Sequence, residues 1–280
     1  MRFGFRWILF IAAAIPALGC ASHPVQLLQS AQPPPPAVAR PAEVAKAEPA
    51  IPGPSGPRDR GVTVRPITDE ELWRISEKDP DLSPVLCRQI LARLNIRASC
   101  HISEDISGGR PLKVPNDFSA YKDWSPLPTY APQVSRFEKT ILVVKEIFFL
   151  GWYEKGRRVG DTHICLGNSE QPTEAGIYRI IEKDAAHVSR SYKNDFGQPA
   201  WMPWSMRIYG TVYIHAGDIT GEYCSHGCVT LPMQAAEELF HWTDAGTPVI
   251  IVESMADLWK QGLKAQDTGG LWSPGGDRDT

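Results

Sequence analysis

At 280 residues, 42% of them hydrophobic, the chain is long enough for one substantial core plus a smaller unit, so length allows one or two domains. Its 29 Lys and Arg stand against 32 Asp and Glu, a formal net charge of -3. That balance lacks the basic excess of a nucleic-acid binder, and no nucleic-acid partner is expected.

Residues 1–19 read as an export signal. Arg2 and Arg6 flank the start of an apolar run from Trp7 to Leu18, too short for a spanning helix, which ends Ala17-Leu18-Gly19-Cys20. The small residues before Cys20 resemble a bacterial lipobox, in which the cysteine is lipid-modified and becomes the mature N-terminus. Ala21 rather than Asp after Cys20 implies, by the same resemblance, the outer membrane. The expected location is the cell envelope, as a periplasmic lipoprotein anchored to the membrane through Cys20. Each buried CH₂ of the acyl chains would add about 0.8 kcal/mol to that anchorage.

Residues 20–66 hold the anchor cysteine and a Pro-rich linker with Pro33 to Pro36, Pro41, Pro49, Pro52, Pro54 and Pro57. Such a stretch cannot bury a core. At about 3.1 Å per residue when extended, it is a tether that reaches on the order of 100 Å.

Residues 67–135 suggest a small, partly helical accessory region. Thr68 and Glu71 make a capping-box pattern before Leu72 and Trp73, and Ser83-Pro84 opens a second helix with Leu86, Ile90 and Leu94 on one face. Gly108-Gly109 and a Pro, Asp and Ser-rich passage follow as far as Pro132. Packing on the next domain and covering its groove are both open as roles.

From Lys139 the character turns to β. Ile141 to Val144, Ile147 to Tyr153, Val159 to Leu166, Gly176 to Ile181 and Arg207 to His215 read as strands. Residues 182–204, with Tyr192, Phe196, Trp201 and Trp204, fit either a substrate-side loop or an aromatic connection packed on the sheet. Pro232 to Thr243 reads as a helix burying Met233, Ala236 and Phe240, Gly246 stops it, and Pro248 to Val252 is a last buried strand. This places a domain at 136–254 and a tail at 255–280, disordered from Asp267.

Within that domain the reactive groups concentrate between Tyr213 and Pro232, YIHAGDITGEYCSHGCVTLP. A thiol is a good nucleophile as the thiolate, which a nearby base or backbone N–H groups favour. Cys228 follows His226 and Gly227 directly, and His215 ends the alternating strand run from Val212. A strand carrying the base and a glycine loop carrying the nucleophile would let the two side chains meet. Zinc is the competing chemistry, but the interleaved order C-x-H-x-C from Cys224 to Cys228 is not a structural zinc spacing, so no metal and no cofactor are expected.

Ser225-His226-Gly227-Cys228-Val229, with Ile214-His215 upstream and Leu231 downstream, resembles the signature of the L,D-transpeptidase (YkuD-type) catalytic domain. The resemblance runs over roughly residues 138 to 253 and takes in the Glu154-Lys155-Gly156 turn and Thr173 to Tyr178. It implies a mostly β fold, an L,D-transpeptidase-like β-sandwich or sheet domain with one or two helices, preceded here by the small partly helical region. It implies Cys228 as nucleophile, His215 as general base and acid with the Ala216 carbonyl orienting its ring, and the N–H groups of Gly227 and Cys228 as oxyanion donors. His226 would position the loop or meet substrate, and Ser225, Ala216 and Thr230 are the residues placed on the substrate side. The implied partners are peptidoglycan tetrapeptide stems, cut and joined through a thioester. Hydrolysis of the same linkage and non-catalytic wall binding are the alternatives. The chain departs from the family pattern in three places: Thr230 stands where Arg or Asn is usual, Glu174 where Pro is usual, and only 13 positions separate His215 from Cys228.

An oxidising compartment invites disulfides among Cys87, Cys100, Cys165 and Cys224. Cys87 with Cys100, which share one segment, is the favoured pair. Cys224 with Cys228 would block the nucleophile, whereas Cys224 with Cys165 would brace its loop, and the sequence leaves these two open.

Overall fold

The computed structural model describes residues 61–194 and 196–260. The expected export signal, Cys20 with the expected linker as far as residue 60, and the tail beyond residue 260 lie outside the described residues. Among the described residues no helix is long and apolar enough to cross a membrane.

The chain enters through β1 (Val62–Arg65), which pairs antiparallel with β2 (Leu112–Pro115) and encloses three helices between them. The first, α1 (Asp69–Lys78), starts at Thr68, whose hydroxyl accepts the Glu71 N–H; the second, α2 (Pro84–Asn95), starts at Ser83, whose hydroxyl accepts the Leu86 N–H. Both starts follow the capping logic of the sequence. The third, α3 (Ser99–Ser107), has no side-chain cap and a mostly polar sequence, and nothing local announces it. It forms because Ile102 and Ile106 turn into the accessory core with Leu72, Leu91 and Val114, so tertiary burial overrides a weak local signal.

The β domain follows in chain order as β3 (Lys139–Val144), β4 (Phe149–Glu154), β5 (Arg157–His163), β6 (Gly176–Arg179), β7 (Glu182–Asp184), β8 (Val188–Lys193), β9 (Pro199–Trp201), β10 (Ser205–Tyr209), β11 (Val212–Ala216) and β12 (Val229–Leu231). The helix α4 (Met233–Trp242), the strand β13 (Pro248–Val252) and the short α5 (Met255–Lys260) complete it. A five-stranded sheet runs β5-β4-β3-β13-β6 and a four-stranded sheet runs β12-β11-β10-β7. Ile141, Val143 and Ile250 of the first sheet and Met206, Ile214 and Leu231 of the second share one core, closed by Ala236 and Leu239 of α4. Strands buried this completely read as continuous apolar runs, which is why β3 and β13 are evident in the sequence.

Several expected boundaries move for identifiable reasons. The run Arg207 to His215 is a hairpin of β10 and β11, because Gly210 turns the chain at φ +44. The run from Ile147 begins instead at Phe149, since Lys145–Ile147 forms a single 3-10 turn that ends with Phe148 at φ +53. The strand expected from Val159 starts earlier, at Arg157, and ends at His163. Residues 182–204 are β7 and the β8–β9 hairpin rather than an open loop.

The accessory helices are tied into this domain by Arg93. Its guanidinium pairs with Asp161 of β5 at 2.6 Å, donates to the Trp124 carbonyl at 3.0 Å and lies 5.1 Å from the Phe149 ring centroid.

Candidate active site

β11 and β12 run parallel, with Ile214 opposite Val229, His215 opposite Thr230 and Ala216 opposite Leu231. Side chains in register on neighbouring strands point to the same face, and those two positions apart on one strand share a face. Ile214, Ala216, Val229 and Leu231 fill the core. His215 and Thr230 therefore lie on the opposite face, and Cys228 directly precedes β12.

The ring of His215 is held in one tautomer. Its Nδ1–H donates to the Ala216 carbonyl at 2.8 Å, which leaves Nε2 as the nitrogen with a free lone pair. Burial pushes His215 down to about 4, and the nearby His187 pushes the same way. Burial also raises the Cys228 thiol above its ordinary value, opposed by the Tyr213 backbone N–H, which favours the thiolate. At neutral pH Cys228 thus rests as a neutral thiol and His215 as a neutral imidazole.

The loop before Cys228 is built from close backbone contacts. Gly227 sits at φ +109, a region that residues with a Cβ rarely adopt, and Gly167 packs so closely on it that a Cβ at residue 167 would come within 2.7 Å of the Gly227 N and Cα. Thr173, buried, donates its hydroxyl to the Gly227 carbonyl at 2.9 Å and accepts the Gly167 N–H at 2.9 Å. Ser225 donates to the Cys228 carbonyl at 2.7 Å. Gly167 and Thr173 are the residues that sequence reasoning missed; they lie more than fifty positions upstream and carry no reactive group. Only the Thr173 to Tyr178 segment of the resemblance points toward them.

The remaining expected residues fall on two sides of this arrangement. His226 is exposed and stacks on Tyr192 of β8, with ring centroids 4.5 Å apart and planes at 21°, while the Tyr192 hydroxyl reaches Gln171 at 2.5 Å. The β8–β9 hairpin therefore sets Tyr192 against the loop that carries His226. Thr230 is buried, 4% exposed, and its methyl faces Gly217 beneath the His215 ring.

The favoured Cys87–Cys100 disulfide is not formed. Cys87 is a free, buried thiol on the core side of α2, and Cys165 pairs with Cys224 instead, with Cα atoms 5.7 Å apart. Proximity in sequence was a poor guide because α2 turns Cys87 inward. Cys228 keeps its free thiol. The bridge fixes the loop four residues before Cys228 to Cys165, two residues beyond β5 and itself paired with Thr230. We expect its reduction to lower stability by about 2–4 kcal/mol, since it closes a long loop, and thermal unfolding with and without reductant measures this.

Residues 138–251 match the profile of the L,D-transpeptidase catalytic domain, YkuD. The chain is 28% identical over 100 residues to a probable L,D-transpeptidase 3 of Mycobacterium tuberculosis, a match covering 31% of this chain and 37% of that protein. Among solved structures it is similar to an L,D-transpeptidase from Stackebrandtia nassauensis, at 25% identity over 42% of this chain and 57% of that one, with a TM-score of 0.39. The catalytic domain of the E. faecium L,D-transpeptidase matches at 31% identity over 41% of this chain and 98% of that one, with a TM-score of 0.35. The chain thus spans little more than a third of the curated relative's length.

Proposed function

Residues 138–251 belong to the L,D-transpeptidase catalytic-domain family, and from that premise we propose that the protein is a cysteine-dependent L,D-transpeptidase acting on peptidoglycan stem peptides. The observation that carries this reading is His215 in register with Thr230 on the neighbouring parallel strand, the strand that Cys228 directly precedes, with His215 Nδ1 tied to Ala216 and Nε2 left as the proton-accepting nitrogen. The Cys228 sulfur attacks the amide carbonyl between the L-centre of a diaminoacyl residue and the terminal D-alanine, and its proton passes to His215. The carbonyl oxygen becomes an oxyanion beneath the N–H groups of Gly227 and Cys228. Donors of this kind contribute about 3–4 kcal/mol each where they have been removed singly. The C–N bond then breaks, the imidazolium returns its proton to the departing D-alanine amine, and a thioester remains on Cys228.

His215 next takes a proton from the acceptor amine as it attacks the thioester carbonyl; the C–S bond breaks, and the imidazolium returns that proton to the Cys228 sulfur. Tyr192, His226 and Gln171, joined by the ring stack and the hydrogen bond beside Cys228, would meet the stem. Cys20 and the Pro-rich linker would hold this domain at the outer membrane while it reaches the wall.

The test is the intact mass of the protein after incubation with a carbapenem, whose strained amide a reactive thiol opens. One adduct on the parent and none on Cys228→Ala is the expected result. A folded, reduced parent that forms no adduct would sink the catalytic reading and leave wall binding. Stem-peptide products then separate transfer to an amine from transfer to water.

A further inference from the structure

The accessory helices grip the loop that joins the base to the nucleophile. The Ala98 N–H at the start of α3 donates to the Ile219 carbonyl at 2.8 Å, and Arg97 Nη1 donates to the Thr220 carbonyl at 2.7 Å. Arg97 is itself fixed by an ion pair with Asp105 at 2.7 Å, and its carbonyl accepts the His163 Nε2–H at 3.1 Å. Next to these contacts His101 Nε2 faces both oxygens of Asp218 at 2.9 Å, while Nδ1 faces Glu104 at 2.9 Å. A neutral imidazole has one donor nitrogen and one acceptor nitrogen, so a carboxylate on each side is satisfied only by the imidazolium. The arrangement is therefore an ionic latch. Its middle member is largely shielded, at 15% side-chain exposure.

Asp218 lies two residues beyond Ala216, whose carbonyl aligns the His215 ring. Between them the Gly217 N–H donates to Leu231 at 3.0 Å, and a Cβ at residue 217 would come within 2.7 Å of the Thr230 methyl. The peptide that carries the Ala216 carbonyl is thus held by β12 on one side and by Asp218 on the other. We propose that His101 is a positioning residue for the thiol chemistry: its ion pair with Asp218 keeps the Ala216 carbonyl aligned on His215. The inference rests on the proposed function, and it gives the accessory region a task that its sequence did not reveal.

The charged groups around His101 are Glu104 from its own helix and Asp218 from the loop, with Arg97 and Arg110 acting on Glu104. Burial works against the charged ring, but the two carboxylates prevail and raise His101 above its ordinary 6.5. The latch is complete below that ordinary value and is lost as pH rises through the raised one. His215, down at about 4, stays neutral throughout this window.

The experiment compares carbapenem acylation of the full chain with that of His101→Gln and Asp218→Asn, between about pH 6 and about pH 9. The parent-to-variant rate ratio should be about tenfold at the acid end and approach one at the alkaline end, because misaligning a catalytic group costs rate without removing it. The ratio cancels titrations common to both proteins. Asp218→Asn changes an exposed side chain and serves if His101→Gln folds poorly. A second readout does not need activity: the ring nitrogens of His215, followed by NMR, should shift as His101 titrates in the parent and lose that step in His101→Gln. A ratio of one at every pH overturns the proposal. A parent that accepts no carbapenem overturns the proposed function instead, and the NMR step then decides the latch alone, since His215 signals indifferent to His101 would end it.

Discussion

Replacing His215 by alanine should lower the acylation rate of Cys228 by about a thousandfold, the middle of the range for removing a general base, while the chain still folds. The size of the effect follows from the resting state. A thiol that burial has raised above its ordinary value contributes little thiolate at neutral pH, so on the proposed function its attack would need a base that takes the proton as the bond forms. His215→Gln should be as impaired, since its amide cannot serve as a base. A stopped-flow acylation assay on both variants checks this, and a rate within a few-fold of the parent's would mean that the proton leaves by another route.

The pH dependence carries a sign. His215 and His163 are both pushed by burial to about 4, below the value they have in the unfolded chain. Below about pH 6.5 the unfolded chain binds protons that the folded one refuses, so the stability contributed by these neutral rings is intact above that point and is lost as pH falls toward 4. Acid therefore weakens the base and the fold together. The His101 latch has the opposite sign, being complete in acid and lost toward alkali.

How much of this was legible in the sequence depends on the range of the interactions. Cys228, His215 and Gly227 are neighbours in one stretch, and the strands that hold or adjoin them are apolar runs, so motif and periodicity point to them directly. The caps at Thr68 and Ser83 are local chemistry and were equally readable. What the sequence hid is whatever depends on approach across the fold: α3, whose helix rests on buried Ile102 and Ile106; the Cys165–Cys224 pairing across 59 residues; and the seating of Gly227 on Gly167 and Thr173. No pattern of residue types over a short window encodes a backbone-to-backbone approach. Gly167, between Leu166 and Asn168, looks in the sequence like any loop glycine.

That glycine gives the second large effect, with Gly167→Ala losing acylation by about a hundredfold and stability by about 1–3 kcal/mol. The added Cβ would stand 2.2 Å from the Gln171 carbonyl oxygen and 2.7 Å from the Gly227 N and Cα. All three obstacles are backbone atoms, so no side chain can swing aside and the loop itself must move. What moves is the Gly227 N–H, one of the two proposed oxyanion donors, along with the carbonyl that Thr173 holds. Gly227→Ala tests the same loop by a different cause: its Cβ would meet nothing nearer than 3.6 Å, but φ +109 is strained for any residue with a side chain. Gly221→Ala, in open space on the same connection, should change neither property. Thermal unfolding and acylation rates on the three variants separate the causes. If Gly167→Ala acylated like Gly221→Ala, the close seating of Gly227 on Gly167 would have no part in shaping the oxyanion site.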